Sequence, residues 1–458
     1  MFTESTPLST EKNKNEDQES KEIPQVQQGL NIFQTAFFMI GNVAGSGILV
    51  LPKAIDYAGC IGLFLMIVAA FASGYNGIRL GQCWTIVRRR YRHMDGYVQD
   101  PYAAIAKAAF GSKMGILVSL MGNIFLFGVA VVFVLMSSQN LQSLLQHWFN
   151  LRISFCYWIL ILGTSLIPAC WLGSPKNFKI FGIISASTIF LACLIMNCAF
   201  IAQIYTKKSE TVYKPPNPSK LIFSFGVMMY SFSGTVTFPT IQQDMKRPEK
   251  FHLSAWVSYT TILAMYMTVS CLGYLSVGSK LQVNVLQNIA INWFRYIAEI
   301  LITIHLVFAL ISNTNPLFQS IEKLFCISAE FGWKRCVART TLMIIIIFIA
   351  ESIPNFSSLL SLVAACGTFL TFIAPCLFYI KICSMEGDWP KEDPVPLHHK
   401  VLSIELIICG TLSAVAVTYT GVKQIIGSLT FVPPCYISIT AAETIVHQSV
   451  LLFTNKTI

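Results

Sequence analysis

Three glycines fall within seven residues near the amino terminus, in the segment Gly41-Asn42-Val43-Ala44-Gly45-Ser46-Gly47. Each glycine costs a helix about 1 kcal/mol relative to alanine, so we expect the helix to unwind here. Backbone N–H groups freed at the start of a half-helix attract a carboxylate, and freed carbonyls attract an ammonium group or a cation. The segment therefore predicts a site for a zwitterion that carries both groups on one carbon. The pattern Gly41-x-x-x-Gly45 is also typical of close helix packing, and this alternative stays open.

Hydroxyl groups surround a glycine in a second segment, which runs from Phe225 to Thr235. Ser231, Ser233 and Thr235 are candidates for ligand contacts, and Phe232 is a candidate to close over the ligand. The alternative for the hydroxyls is a hydrogen bond to a carbonyl of the preceding turn. The two segments together supply the residues that we expect to bind a ligand: Gly41, Asn42, Ala44, Gly45, Ser46, Gly47, Tyr230, Ser231, Phe232, Ser233, Gly234 and Thr235.

The two segments repeat one pattern. Residues 46–52 and residues 233–239 both read S-G-x-x-x-x-P. They lie five predicted helices apart, and an odd number of helices makes the two copies enter the membrane from opposite sides. This is the relation that an inverted-topology repeat requires, and interrupted helices at matching positions mark the binding site of many transporters.

A long apolar run from 293 to 325 also contains ionisable residues, which are costly at membrane depth and usually functional. His305 is a candidate to carry a coupling proton, because the unperturbed pKa of histidine is about 6.5. The alternative is a neutral histidine bonded to a neighbouring helix. Glu299 and Glu322 lie nearer the ends of the run, where we expect interfacial water to solvate them.

The elements that position these residues are apolar. The chain has 458 residues, of which 54% are apolar and 12% charged. A soluble domain would be charged at about 25%, so this composition indicates a bilayer as the solvent. A membrane helix needs about 20 mostly apolar residues, and no alternating pattern of a membrane barrel is visible. We predict an all-α polytopic membrane protein with about eleven transmembrane helices, at 30–54, 58–84, 114–146, 153–173, 179–204, 220–242, 253–277, 293–325, 338–353, 356–383 and 401–421.

The ends of the chain differ from this apolar body. Residues 1–28 are polar and predict a disordered cytoplasmic tail, residues 29–421 form the transmembrane domain, and residues 422–458 are expected to be a non-cytoplasmic tail. Most Lys and Arg residues fall in segments that would be cytoplasmic if the amino terminus is inside and the carboxyl terminus outside, which favours this orientation. Spacing of the 14 cysteines predicts neither a disulfide framework nor a zinc site, and we interpret them as small core residues. No metal or cofactor is expected.

The motifs together resemble the amino acid/auxin permease family. The first helix, GNVAGSGILVLPKAIDYAG, resembles the family's glycine-rich break, and FSFGVMMYSFSGTVTFPTIQQDMKRPEKF resembles its broken sixth helix. IHLVFALISNTNPLFQSIEKLF is similar to the eighth helix of the plant permeases, and Arg339 with IPNFSSLLSLVAACGTFLTFIAPCLFY resembles the ninth and tenth. The resemblance implies a five-plus-five inverted repeat, broken first and sixth helices, and secondary active transport of small amino acids or close analogues.

The resemblance leaves the coupling ion open between a proton and sodium. Proton-coupled animal members carry a histidine before the Gly-Asn of the first helix, where this chain has Phe37 and Phe38. By similarity to sodium-coupled members, Asn42, Asn313 and Thr314 are candidate ion ligands. They are candidates in addition to His305, the candidate for proton coupling.

Two other classes of function compete with transport. One is an amino-acid-sensing membrane protein with the same fold and little net transport. The other is a membrane-embedded enzyme, but no nucleophile–base pair or metal cluster is apparent in the sequence. The expected partners are an amino acid, a proton or sodium ion and the bilayer, with no nucleic acid. The sequence does not separate the plasma membrane from a lysosomal or vesicular membrane.

Overall fold

The described residues of the computed structural model form fifteen α-helices. The structure describes residues 29–91, 96–151, 153–171, 175–206, 211–213, 215, 218–290, 292–328, 330–353, 356–387, 389, 394–427 and 434–438. The helices of the first half are α1 (Ile32–Val43), α2 (Gly47–Ala58), α3 (Cys60–Arg90), α4 (Pro101–Phe110), α5 (Ser112–Phe149), α6 (Phe155–Trp171) and α7 (Pro175–Thr206). Those of the second half are α8 (Pro218–Ser231), α9 (Phe238–Gln243), α10 (Phe251–Val277), α11 (Trp293–Leu324), α12 (Trp333–Ser352), α13 (Phe356–Thr368), α14 (Ala374–Cys383) and α15 (Leu397–Gly427).

The prediction of an all-α polytopic membrane protein is confirmed. Among the described residues, eight helices are long and apolar enough to cross a membrane, or nine if the bent pair α1–α2 is one span. Two more predicted spans coincide with α6, which has 17 residues, and with α12, which carries several charges. Each of the eleven predicted apolar spans therefore has a helix or a pair of helices at its position.

The two halves follow the same order of elements, as the inverted repeat requires. In each half a broken helix (α1–α2 or α8–α9) is followed by a long span (α3 or α10) and then by three more spans. The last of these is unbroken in the first half (α7), and in the second half it is formed by α13, a π-helical turn and α14. The eleventh span, α15, lies outside the repeat.

The first span breaks where the glycines predict. A capping box between Asn31 and Gln34 starts α1, which ends at Val43. The chain then bends by 61° before α2 starts at Gly47. Ser46 occupies the N-cap position of α2, but its side chain makes no capping bond. The first N–H groups of α2 therefore lack the partners that a capped helix would give them.

The sixth span breaks at the matching place. Helix α8 ends at Ser231, a short 3₁₀ turn covers Thr235–Thr237, and α9 follows. Beyond α9 the chain pairs with the start of the first span through two backbone hydrogen bonds. The N–H of Leu30 donates to the carbonyl of Asp244 at 2.8 Å, and the N–H of Lys246 donates to the carbonyl of Leu30 at 2.9 Å. The two broken spans are thus joined at their predicted cytoplasmic ends.

Two buried carboxylates correct the expectation of interfacial solvation. Glu299 is 1% exposed and lies 2.9 Å from Nε of Arg295. Glu322 is 4% exposed, and its Oε1 lies 3.0 Å from Nε of Arg335 and 2.6 Å from Nε of Arg339. These glutamates are held by ion pairs inside the helix bundle. Arg335 and Arg339 of α12 thus neutralise a carboxylate of α11 and are themselves buried.

A disulfide between Cys156 and Cys435 overturns the interpretation of all cysteines as isolated core residues. It joins the start of α6 to a segment beyond α15, and the N–H of Cys435 also donates to the carbonyl of Glu351 at 2.9 Å. Disulfides persist in oxidising compartments, and the predicted topology puts both cysteines on the non-cytoplasmic side. The spacing rule missed the pair because 279 residues separate the two sulfurs in sequence.

Candidate binding site at the two helix breaks

A small cavity lies between the two helix breaks, α5 and α11. Its lining consists of Asn42, Val43, Gly45, Ser46, Gly47, Phe125, Leu126, Val129, Phe133, Tyr230, Ser231, Ser233, Gly234, Val236, Thr237 and Asn313. Eight of the twelve residues predicted to bind a ligand are among them. None of the lining residues carries a formal charge, so the cavity suits a ligand whose own charges sum to zero.

The two breaks touch each other across the cavity. The hydroxyl groups of Ser46 and Tyr230 lie 3.0 Å apart and share a hydrogen bond. Gly47 packs so tightly on α8 that an added Cβ would lie 2.6 Å from Cβ of Ser231. Only glycine allows this approach, which brings the uncapped start of α2 to the cavity wall. The N–H groups there form an electropositive edge suited to a carboxylate.

Carbonyl groups freed by the breaks are partly held by a tyrosine of α10. The hydroxyl of Tyr266 lies 3.3 Å from the carbonyl of Val43 and 3.1 Å from the carbonyl of Ser231. Tyr259 of the same helix donates to the carbonyl of Phe232 at 3.3 Å. The unwound backbone is therefore buried in protein, as backbone outside helices at membrane depth must be.

An apolar wall on α5 was not predicted. Phe125, Leu126, Val129 and Phe133 of this helix line the cavity opposite the breaks. The packing is close, because a Cβ added to Gly45 would lie 2.8 Å from Cζ of Phe133. Helix α5 is apolar on all sides, so its sequence carries no signal for the face that meets a ligand.

The hydroxyls of the sixth span are engaged in different ways. Ser231 and Ser233 donate to the carbonyls of Val227 and Met229, at 2.7 and 2.9 Å. This is the bonding to the preceding turn that the sequence left open, yet both residues also line the cavity. Thr235 instead donates to the carbonyl of Leu370 at 3.1 Å and is fully buried outside the lining.

The remaining three predicted binding residues lie behind the wall of the cavity. Phe232 is buried against the ring of Tyr266, with ring centroids 5.1 Å apart. The carbonyl of Gly41 accepts a bond of 3.2 Å from the hydroxyl of Ser185 in α7. Ala44 is fully buried in the break itself. These residues support the shape of the break but do not face the cavity.

His305 lies beside the first break, deep in the bundle. It is fully buried, and its Nδ1 lies 3.0 Å from the hydroxyl and 2.9 Å from the carbonyl of Ser185. Its ring also adjoins the backbone of Ala44, but Nε2 has no well-formed hydrogen bond among the described residues. The histidine is thus bonded to the neighbouring helix α7 through Ser185.

The other candidate ion ligands are divided between the cavity and the core. Asn42 and Asn313 line the cavity, and the amide of Asn313 donates to the carbonyl of Ala309 at 3.0 Å. Thr314 is fully buried outside the lining, and its hydroxyl donates to the carbonyl of Leu310 at 2.8 Å. Two of the four candidates therefore line the cavity, and Thr314 and His305 do not.

The cavity is too small for an amino acid in this conformation. Its volume is about 20 Å³, which is room for about one or two water molecules. Entry of a larger ligand requires the lining side chains of the breaks and of α5 to separate.

The fold is that of a class of transporters with an inverted repeat. It is similar to Mhp1, a nucleobase-cation-symport-1 family transporter, with a TM-score of 0.53 and 10% identity over 87% of this chain and 94% of that chain. It is also similar to MhsT in complex with L-phenylalanine, with a TM-score of 0.57 and 15% identity over 86% of this chain and 99% of that chain.

The chain belongs to the transmembrane amino acid transporter protein family, whose model matches residues 28–423. Among its relatives, the amino acid transporter AVT1J of Arabidopsis thaliana is 26% identical over 86% of this chain and 91% of its own length. Amino acid transporter AVT1C of the same plant is 25% identical, over 85% and 68%. The vesicular inhibitory amino acid transporter of Xenopus tropicalis is 22% identical, over 82% and 73%. The protein is a transporter of amino acids, not an enzyme.

Proposed function

We propose that the protein is a secondary active transporter that moves small neutral amino acids or close analogues by alternating access, driven by a proton gradient. The observation that carries this proposal is the meeting of two unwound backbones, joined by Ser46 and Tyr230, in a cavity with no charged lining residue. Such a lining has the means to bind both charges of a zwitterion without itself adding a net charge.

The substrate backbone is expected to lie between the breaks. Its carboxylate would be held by the uncapped N–H groups at the start of α2, and its ammonium by carbonyls of the sixth span and by the Asn42 and Asn313 amide oxygens. Its side chain would face the wall formed by Phe125 and Phe133. Because these rings close the cavity to about 20 Å³, small side chains should be preferred.

Alternating access is supported by the location of the site. The cavity lies where the two halves of the repeat meet, and rocking of one group of helices against another would open it to one side at a time. The pairing of Leu30 with Asp244 and Lys246 would close the cytoplasmic end until α1 and α9 separate.

A proton is the coupling ion that the geometry favours. His305 touches α7 through Ser185 and adjoins Ala44 in the break of the first span. Its Nε2, with no good partner among the described residues, is where a proton would be gained or lost. The sodium alternative has weaker support, because only Asn42 and Asn313 of its three candidate ligands line the cavity.

The test is uptake of a labelled amino-acid panel, including GABA, into proteoliposomes that contain the purified protein. Proton and sodium gradients are imposed separately. We expect a proton gradient alone to drive accumulation. The Gly47→Leu variant should abolish this accumulation, because the leucine side chain would displace Ser231. Gly332→Leu is the control, since an added Cβ at Gly332 has nothing within 4 Å.

His305→Gln separates coupling from binding. This variant keeps a side chain able to bond Ser185 but cannot carry a proton, so it should lose proton-driven accumulation while retaining exchange of labelled for unlabelled substrate. His147→Gln, on the exposed end of α5, is the control. Accumulation driven by sodium alone, or an unchanged proton response in His305→Gln, would contradict proton coupling. Saturable binding without any transport would instead favour the sensor.

A further inference from the structure

A second cavity lies away from the helix breaks, near the predicted cytoplasmic surface. It has a volume of about 330 Å³ and is formed between α3, the end of α9, the start of α10 and α14. The lining residues with polar side chains are Gln82, Thr85, Gln242, Glu249, His252, Tyr379 and Cys383. The proposed transport mechanism uses none of these residues.

Gln242 supplies an unpaired acceptor at the base of this cavity. The residue is 1% exposed, and its Nε2 lies 3.1 Å from each of the carbonyls of Gly81 and Pro248 and from the hydroxyl of Thr85. Two carbonyls can only accept hydrogen bonds, so they fix which end of the amide faces them. The opposite atom, Oε1, has no hydrogen-bond partner among the described residues. A buried acceptor of this kind costs about 1–3 kcal/mol unless a donor reaches it.

Two further acceptors lie at the rim. Glu249 is exposed and forms no ion pair within the described chain. His252 directs Nδ1 to the carbonyl of Glu249 at 3.1 Å, so in the neutral ring Nδ1 carries the proton and Nε2 is an acceptor. With Oε1 of Gln242 this makes three acceptors, the number that a primary ammonium group with its three N–H donors can satisfy.

A donor complements these acceptors. Oε1 of Gln82 accepts a bond of 2.7 Å from the guanidinium of Arg79, which fixes the amide so that its NH₂ group is the end left for the cavity. An amide NH₂ group donates to anions such as a phosphate oxygen. The lining therefore offers acceptors for a cation and a donor for an anion.

The exposed lining residues lie on the same faces of α3 and α10 as exposed aromatic rings. Phe71 has an exposed ring and lies eleven residues before Gln82 and fourteen before Thr85. Both offsets are close to whole numbers of helical turns, so the three residues share one face of α3. His252 lies one turn before the exposed Trp256 on α10, and the rings of Phe71 and Trp256 are 6.0 Å apart. The opening is about 12 Å or less from the end of α3, by the helical rise from Gln82 to Arg90. The opening therefore lies near the predicted cytoplasmic end of this span.

We propose that this cavity binds the headgroup of a phospholipid that ends in a primary ammonium, such as phosphatidylethanolamine, from the cytoplasmic leaflet. The ammonium meets Gln242, Glu249 and His252, the phosphate lies toward Gln82, and the acyl chains follow the apolar face beside Phe71 and Trp256. A bound lipid would link α3 and α10 to α14.

The test is native mass spectrometry of the delipidated full-length protein, titrated with phosphatidylethanolamine or phosphatidylcholine of matched acyl chains. Phosphatidylcholine keeps the positive charge but has no N–H donor. We expect at least tenfold tighter binding of phosphatidylethanolamine. The preference should be lost in Glu249→Gln, whose exposed site leaves the fold intact, and in Gln242→Met. It should persist in Glu330→Gln, an exposed residue on the loop between α11 and α12.

Three results would overturn the proposal. Equal binding of the two lipids would exclude recognition of the ammonium group. An unchanged preference in both cavity variants would assign the lipid to another site. Displacement of the lipid by millimolar ethanolamine or by a free amino acid, with no lipid needed for saturation, would make the ligand a soluble amine. None of these readouts depends on transport, so the proposed function is tested separately.

Discussion

Ser46 and Tyr230 share a hydrogen bond of 3.0 Å although 184 residues separate them in the chain. Each belongs to a helix break, and the breaks stand at matching positions of the two repeats. The bond therefore joins the two halves of the protein at the candidate binding site. Any ligand that separates the breaks must break this bond or replace one of its partners.

Tyr230→Phe should weaken substrate binding by up to about tenfold, because we expect the hydroxyl to bond the ligand in place of Ser46, and such a hydrogen bond contributes about 0.5–1.5 kcal/mol. The measurement is the concentration dependence of uptake in proteoliposomes. Tyr205→Phe is the matched control, since Tyr205 is 85% exposed at the end of α7. An unchanged half-saturation concentration in Tyr230→Phe would show that the hydroxyl is not part of the site.

Gly29→Ala should open the pairing between the first and sixth spans. A Cβ at this position would lie 2.8 Å from the amide nitrogen of Lys246, so the strand-like contact must shift. We expect faster hydrogen exchange of the Leu30 and Lys246 amides, measured by mass spectrometry. Gly96→Ala is the control, because nothing lies within 4 Å of an added Cβ there. Equal exchange in both variants would mean that the pairing tolerates a side chain.

Glu322→Gln should destabilise the protein strongly. The substitution leaves the buried guanidinium groups of Arg335 and Arg339 without their shared carboxylate. Removal of one partner from a buried ion pair costs about 3–5 kcal/mol. The readout is the unfolding midpoint of the purified protein in detergent, with Glu330→Gln as an exposed control. Equal midpoints for the two variants would contradict the buried network.

Cys435→Ser should free the segment 434–438 from α6. We expect a lower unfolding midpoint and loss of the cross-linked peptide that contains Cys156 in non-reducing mass spectrometry. Cys198→Ser is the control, because this exposed thiol is free. Cross-linked peptide that persists in Cys435→Ser would assign Cys156 another partner.

Much of the architecture follows from the sequence. Lipid selects runs of about 20 apolar residues, so the composition alone predicts the spans. Glycine weakens a helix wherever it stands, so the break between Gly41 and Gly47 is a local property that needs no tertiary information. The S-G-x-x-x-x-P pattern, which begins at Ser46 and again at Ser233, predicts that the two halves are related as an inverted repeat. The family resemblance, carried by the same segments, predicts amino acid transport.

The site is less completely predicted because its members depend on helix rotation. Eight of the predicted residues line the cavity, but Thr235 and Phe232 turn to other helices. The wall that contains Phe125 and Phe133 comes from a helix that is apolar on every side, so no periodicity marks the face that meets the cavity.

Long-range pairs were decided only by the tertiary structure. The charges of Glu322 and Arg339 can be read from the sequence, but their 2.6 Å contact depends on how α11 and α12 pack. The same holds for Cys156 and Cys435, whose separation of 279 residues gives no local signal. The sequence determines where the chain enters lipid and where its helices weaken, because these are local free energies. Packing determines which side chains then meet, because a contact between two helices depends on how each whole helix is positioned and rotated.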